Sequence, residues 1–124
     1  MKSVISMVRR KKIAEATHNS GMLSGAKWIA LGSGGCDSNN QVIAPLAENI
    51  GLNNEIIRKE YDSYEKITDT KFEYKILLEP DELVGEFISE IALIDSDGDV
   101  IAFASFTPKG KDDTEMVFII EMNY

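Results

Sequence analysis

The sequence predicts an α+β fold, in which one N-terminal helix is followed by a mostly antiparallel β-sheet or a small sandwich. Apolar residues show helical spacing before Ser20, and from Glu55 onward they alternate as in strands. The later segments are joined by turns too short for the crossovers that parallel strands require. The chain has 124 residues, of which 44% are hydrophobic, and this predicts a single domain over residues 1–124.

The helix is predicted to occupy the first part of the chain, up to about Ser20. Val8, Lys12 and Ala16 recur at a spacing of four residues, which places them on one helical face. Residues 18–21, His-Asn-Ser-Gly, form a plausible stop signal because glycine and asparagine favour the end of a helix.

A short apolar run at residues 26–31 is of strand length, and it places Trp28 in the predicted core. Residues 32–35 form a glycine-rich turn, and the stretch to residue 54 is predicted to be loop. Phe72 and Tyr74 alternate with charged residues, as in a half-buried strand. The later strands are predicted within residues 55–67 and at residues 72–80, 86–94, 99–106 and 114–122.

Three aspartates surround a glycine in the sequence DSDGD. Asp95, Asp97 and Asp99 match positions 1, 3 and 5 of an EF-hand loop, but glycine stands at position 4 and phenylalanine at position 12. Asp97 and Gly98 form a dipeptide that favours hairpin turns. We therefore predict a turn here. The alternative function is a small-ligand or cation-binding domain that uses the turn from Asp95 to Asp99.

The glycine-rich turn at residues 32–35 invites comparison with phosphate-binding loops. The P-loop pattern and the G-x-G-x-x-G pattern are both absent, and no good helix begins after Gly35 to face a phosphate. The sequence therefore predicts a flexible turn rather than a phosphate site.

Cys36 and His18 form the one thiol–imidazole pair that the sequence offers. A nucleophilic cysteine needs a base within hydrogen-bond reach and usually a third residue that orients the base. No surrounding signature accompanies the pair, so a cysteine-dependent enzyme is a weaker alternative. One cysteine also excludes an intrachain disulfide and favours a reducing compartment.

Charge argues against two classes of partner. The net charge is −8 at pH 7, which disfavours binding to nucleic acid and to anionic membrane surfaces. The basic run at residues 9–12 is predicted to be a solvated helix face, and no apolar stretch approaches the roughly 20 residues of a membrane span.

Glu90 interrupts the apolar run from Phe87 to Ile94. If its side chain is buried, it needs a backbone amide or a basic residue as a partner, because a buried charge without a partner is costly.

Four segments together resemble the phage tail-collar fibre protein family, specifically the N-terminal domain that attaches tail fibres to the baseplate. Family members have the patterns T-x-x-G-x-x-x-I-A-x-A, I-A-L-G-x-G, P-x-x-x-L-x-N-E-x-x-R and I-x-E-I-G-L-Y-D-x-D-G-x-L-I-A. The matching pieces are, in order, residues 13–16, 28–34, 52–58 and 88–102, of which the first and third match only the ends I-A-x-A and L-x-N-E-x-x-R of their patterns. Ala92 and Ile94 depart from the pattern, where the family has glycine and tyrosine.

The resemblance implies a non-enzymatic structural protein of a phage or prophage tail that acts through protein–protein docking. It implies phage tail or baseplate proteins as partners, a homotrimer, and no catalytic, cofactor-binding or metal-binding residues. The protein would reside in the host cytoplasm during assembly and then in the virion tail or a phage-derived particle. The host-recognition role of longer fibres is not carried over, because the sequence ends at Tyr124 without a shaft or tip. We expect the region from Tyr61 to Tyr74, or the N-terminal helix with its basic turn, to face a partner.

Overall fold

The computed structural model describes residues 3–124, which contain one short helix and eight strands. The elements are β1 (Val4–Ile5), α1 (Met7–Asn19), β2 (Ala26–Gly32), β3 (Glu55–Glu60), β4 (Ser63–Thr68), β5 (Lys71–Leu78), β6 (Phe87–Asp95), β7 (Val100–Gly110) and β8 (Met116–Asn123). The strands after residue 54 lie close to the predicted ranges, since strict alternation of apolar and polar residues is a local signal.

The strands form two antiparallel sheets. The five-stranded sheet has the order β1-β7-β6-β2-β3, and the three-stranded sheet has the order β4-β5-β8. The prediction of an N-terminal helix followed by antiparallel strands is therefore confirmed, and of the two predicted arrangements, one sheet or a small sandwich, the structure has two sheets. The predicted class α+β overstates the helical content, because α1 spans only 13 residues and strands form most of the regular structure. The described fold is mostly β.

The main core lies between the two sheets. It joins Ile91 and Leu93 of β6 to Ile76 of β5 and Ile120 of β8, all of them fully buried. Burial alternates along β8, since Phe118, Ile120 and Met122 are buried while Val117 and Ile119 are exposed. Burial of one face of each sheet supplies the main driving force for this packing.

A second apolar cluster lies on the opposite face of the five-stranded sheet. Ala30, Ala92 and Phe103 form its centre, and Leu52 from the long loop packs against it. Successive strand residues point to opposite faces, so β2 and β6 contribute to both clusters. Trp28, predicted in the core, is only half-buried at the margin of this cluster.

The helix begins later than the sequence predicts. Ser6 is its N-cap and accepts a hydrogen bond from the Arg9 backbone N–H, while residues 4–5 pair with β7 as a strand. The serine side chain satisfies a donor that the first helical turn leaves free, which fixes the start. Ser20 ends the helix with φ at 53°, so the predicted stop is confirmed. Residues 1 and 2 of the predicted helix lie outside the described residues.

Among residues 3–124, no helix is long and apolar enough to cross a membrane.

Candidate functional site

Glu90 joins two distant segments of the chain to β6. The residue is 3% exposed, and its carboxylate accepts backbone hydrogen bonds from Gly34 (2.8 Å), Asn53 (2.9 Å) and Asn54 (2.8 Å). The prediction that a buried Glu90 needs backbone amides or a basic residue is confirmed. Charge-assisted bonds of this kind replace the hydration that the carboxylate loses on burial.

The glycine-rich turn is packed directly against this carboxylate. A Cβ atom on Gly32 would lie 2.4 Å from a Glu90 carboxylate oxygen, and one on Gly35 would lie 1.9 Å from the Ser89 carbonyl oxygen. Gly35 is buried, and its N–H bonds to the Ser89 hydroxyl at 2.9 Å. The glycines therefore permit close approach of the chain to β6, and the turn is tightly held where flexibility was predicted.

The DSDGD segment is the hairpin turn between β6 and β7, as predicted. The Gly98 N–H bonds to the Asp95 carbonyl at 2.9 Å, and Gly98 has a φ of 90°. One carboxylate oxygen of Asp95 accepts the backbone N–H groups of Asp97 and Asp99, each at 3.0 Å. Asp95 thus stabilises the loop by accepting hydrogen bonds from its backbone. Gly98 supplies the left-handed conformation that a three-residue hairpin loop requires.

Lys12 of α1 lies among the three carboxylates of this turn. Its ammonium is 2.7 Å from Asp95, 3.1 Å from Asp97 and 2.7 Å from Asp99. Desolvation by burial acts to lower the pKa of Lys12, but hydrogen bonds to Asp95, Asp99 and Asp97 outweigh it and raise that pKa. The Ser24 hydroxyl and then Lys12 lower the pKa of Asp97.

The same contacts bear on the cation-binding alternative. Lys12 supplies a positive charge at the point where a bound cation would have to compensate Asp95, Asp97 and Asp99. Among residues 3–124, no group of three or more histidine, cysteine or acidic side chains has an arrangement that could hold a metal ion. The turn therefore works as a docking point for the helix.

Cys36 and His18 lie in different surroundings. The Cys36 thiol donates to the Phe106 carbonyl oxygen at 3.3 Å and lines a groove of about 600 Å³. His18 is exposed in the last turn of α1 and is not among the residues that line this groove. The structure thus gives the thiol a backbone partner and does not bring the two predicted residues into one site.

The basic run at residues 9–12 is split between two environments. Arg10 and Lys11 are exposed, as the prediction of a solvated face requires. Arg9 is buried and Lys12 is held by Asp95, so half of the prediction is wrong. Helical geometry explains the difference, because adjacent residues are separated by about 100° around the axis and only part of a run can face the solvent.

Sequence reasoning missed a cleft of about 460 Å³ at one end of the sandwich, between the two sheets and beside α1. We call it the inter-sheet cleft. Its lining residues are Arg9, Ile13, Leu23, Gly25, Ala26, Phe72, Tyr74, Leu93, Ile101, Met122 and Tyr124. No motif marks it, because the residues come from six separate segments of the chain.

Arg9 is the one charged residue among those that line the cleft, and it is 6% exposed. One terminal nitrogen, Nη1, donates to the Ser24 carbonyl oxygen at 2.6 Å and lies 3.6 Å from an Asp95 carboxylate oxygen. The Nε atom is buried and has no hydrogen-bond partner among the described residues. A buried donor left without a partner costs about 1–3 kcal/mol, so an acceptor is missing here.

Aromatic rings of β4, β5 and Tyr61, which lies between β3 and β4, form a second surface feature. The rings of Tyr61 and Tyr74 are 5.1 Å apart, and those of Tyr64 and Phe72 are 6.2 Å apart. Tyr64 is 61% exposed, whereas Tyr61 and Tyr74 are half-buried, and burial followed by the proximity of Tyr61 raises the pKa of Tyr74. The aromatic cluster in the region from Tyr61 to Tyr74 is therefore exposed mainly at Tyr64, and its other rings pack on one another.

The strand β4 lies at the edge of the three-stranded sheet, and all six of its residues are exposed. Tyr64 and Ile67 are its large apolar side chains, at 61% and 41% exposure. Within the described part of the chain, β5 is its single strand neighbour, so its other edge presents backbone donors and acceptors to the surroundings.

Comparison with known proteins does not identify the chain. No protein-family model matches it, and no curated protein and no solved structure matches it either.

Proposed function

We propose that the chain is a non-enzymatic structural module of a phage or prophage tail, which attaches to the baseplate or to a fibre by protein–protein docking. The observation that carries this proposal is the ordered resemblance of four segments, residues 13–16, 28–34, 52–58 and 88–102, to the tail-collar fibre family. Order and spacing hold over most of the chain, which is more specific than any single segment.

The geometry of these segments supports a structural role for them. Glu90 from the fourth segment accepts backbone hydrogen bonds from Gly34, which ends the second, and from Asn53 and Asn54 in the third. The fourth segment also contains Asp95, which pairs with Lys12, the residue that directly precedes the first segment.

Two exposed features supply the surface for docking. The edge strand β4 offers free backbone groups to which a partner strand can add, and such addition is a recurrent mode of recognition. Tyr64 lies on the same strand, and exposed tyrosines are enriched in protein interfaces. We infer that this region contacts the tail or baseplate partner.

The remaining parts of the proposal concern assembly. The chain would be made in the host cytoplasm and incorporated into the virion tail or a phage-derived particle, as a homotrimer. Its net charge of −8 favours a protein partner with a basic surface over nucleic acid.

The test is incorporation into particles. Tail particles would be purified on a density gradient from the cells that encode the chain, and the chain would be quantified by mass spectrometry against a major tail protein. We expect a fixed stoichiometric ratio across the particle peak.

Replacement of Tyr64 and Ile67 together by serine should lower that ratio by about tenfold or more, as loss of interface anchors does. Glu65→Gln on the same strand is the matched control and should leave the ratio unchanged. Absence of the chain from particles, despite expression, contradicts the proposal.

A further inference from the structure

The inter-sheet cleft has the composition of a ligand site. Its volume of about 460 Å³ lies within the range of small-molecule pockets, and most of its lining is aliphatic or aromatic. Leu93 and Ile101 form part of the five-stranded wall, while Phe72 and Met122 form part of the three-stranded wall. An occupant must therefore have an apolar body.

Arg9 forms the polar end of the cleft. A guanidinium carries five N–H donors in a fixed fork and can accept nothing. Its Nη1 has the Ser24 carbonyl oxygen as a partner, while its Nε is buried and has none among the described residues. The Arg9 side chain lines the cleft. The missing group is thus a hydrogen-bond acceptor.

Asp95 does not supply that acceptor. One of its carboxylate oxygens accepts two backbone N–H groups, and the other lies 2.7 Å from the Lys12 ammonium. Its distance of 3.6 Å from Arg9 Nη1 is longer than a hydrogen bond. The charge of Asp95 is therefore engaged mainly by Lys12, and the guanidinium retains capacity for a second anion. Carboxylates suit it best because they match the donor fork of arginine.

We propose that the inter-sheet cleft binds an apolar monocarboxylate, whose hydrocarbon or aromatic body fills the cleft and whose carboxylate accepts hydrogen bonds from Arg9. This chemistry belongs both to free aliphatic acids and to the apolar C-terminal residue of a peptide. The inference does not rest on the proposed tail function, and its test uses different measurements.

The test is calorimetric titration of the full chain with octanoate and with octanol, which share an apolar chain and differ in the charged group. We expect octanoate to bind at one site with a Kd about tenfold lower than that of octanol, because a charge-assisted hydrogen bond to Arg9 is added. Equal affinity, or no saturable binding of octanoate, overturns the proposal.

Two sets of variants locate the site. Arg9→Met should reduce the preference for octanoate over octanol to within about twofold, since the cation is removed while apolar volume is kept. Leu23→Trp places a larger ring at the rim of the cleft and should weaken octanoate binding by about tenfold. Met22→Trp is the matched control, because Met22 is fully exposed and does not line the cleft, and it should leave binding unchanged. If Leu23→Trp binds octanoate as the wild type does, the cleft is not the site, even where Arg9→Met fails to fold.

A further pair of probes identifies the source of the carboxylate. Acetyl-leucyl-phenylalanine with a free C-terminus and its C-terminal amide would be titrated beside octanoate. Tighter binding of the peptide acid than of both octanoate and the amide assigns the cleft to a chain terminus. Tighter binding of octanoate assigns it to free aliphatic acids. Equal binding of the peptide acid and its amide, together with equal binding of octanoate and octanol, contradicts recognition of a carboxylate.

Discussion

A carboxylate that loses its hydration must receive hydrogen bonds in return, and Glu90 receives three of them from backbone N–H groups. The donors belong to Gly34, Asn53 and Asn54, at both ends of the long loop that covers the outer face of β6. A single side chain thus fixes both ends of a loop that has no regular secondary structure of its own. At the scale of the residue, this contact holds Asn53 and Asn54 next to Leu52, which packs against the second apolar cluster.

Glu90→Gln tests that role. Glutamine keeps the shape but has one acceptor oxygen and an amide that faces backbone donors, so at least one N–H loses its partner. We expect the free energy of unfolding to fall by about 3 kcal/mol, measured by urea denaturation. Glu65→Gln, on the exposed strand β4, is the control and should change stability by less than about 0.5 kcal/mol. If the two variants are equally stable, Glu90 does not secure the loop.

Lys12→Met tests the ion-pair cluster through its pH dependence. The pKa of Lys12 is raised in the folded protein, so its contribution is present below its ordinary pKa of 10.5 and is lost as the pH rises through the folded value. The pKa of Asp97 is lowered, so its contribution is present above the ordinary value of 3.8 and is lost as the pH falls through the folded value. Both contributions are therefore present at neutral pH.

At neutral pH, Lys12→Met should destabilise the fold by about 3 kcal/mol, because Asp95 stays buried without its ammonium partner. The difference from the wild type should shrink as the pH falls through the lowered pKa of Asp97, below its ordinary value of 3.8. Urea denaturation at a series of pH values measures both effects. Lys11→Met, exposed on the same helix, should follow the wild-type curve within about 0.5 kcal/mol. A difference that is independent of pH would show that the loss is one of packing alone.

At the scale of the element, the hairpin of β6 and β7 depends on local backbone geometry as well as on side-chain contacts. Gly98 adopts a φ of 90°, which residues with a Cβ atom rarely adopt. A Cβ atom there would meet no neighbour within 4 Å, so any cost of adding one comes from the backbone and not from crowding.

Gly98→Ala should therefore lower stability by about 1–2 kcal/mol, the usual cost of a left-handed conformation for alanine. Gly51→Ala is a close comparison, since its added Cβ also meets nothing within 4 Å and its φ lies outside the left-handed region. It should be neutral or stabilising by up to about 1 kcal/mol, because alanine restricts the unfolded chain. Thermal unfolding of the two variants compares them directly, and equal losses would indicate that the hairpin does not require glycine.

At the scale of the whole molecule, local signals predicted the elements better than their assembly. The strand at residues 114–122 and the Asp97-Gly98 turn depend on neighbouring residues, and both predictions are confirmed. The hydrogen bond between Lys12 and Asp95 spans 83 residues, so no local pattern predicts it. The buried Arg9 and its cleft were missed for the same reason, since packing of two sheets against a helix decides which member of a basic run is buried.

The assembly state is the last prediction, and the charge of the chain makes it specific. A homotrimer brings together three chains of net charge −8, so mutual repulsion opposes association and added salt screens that repulsion. Light scattering on a size-exclusion column should give a mass that rises with protein concentration towards three times the 13.8 kDa chain mass. At a fixed concentration, the mass should be higher in about 0.5 M salt than at low salt, since the screening length falls well below 10 Å. A constant mass of one chain under all conditions contradicts the homotrimer and leaves an adaptor that docks as a monomer. A trimer that dissociates on addition of salt contradicts the repulsion argument, because it would be held by ion pairs between chains rather than by apolar contact.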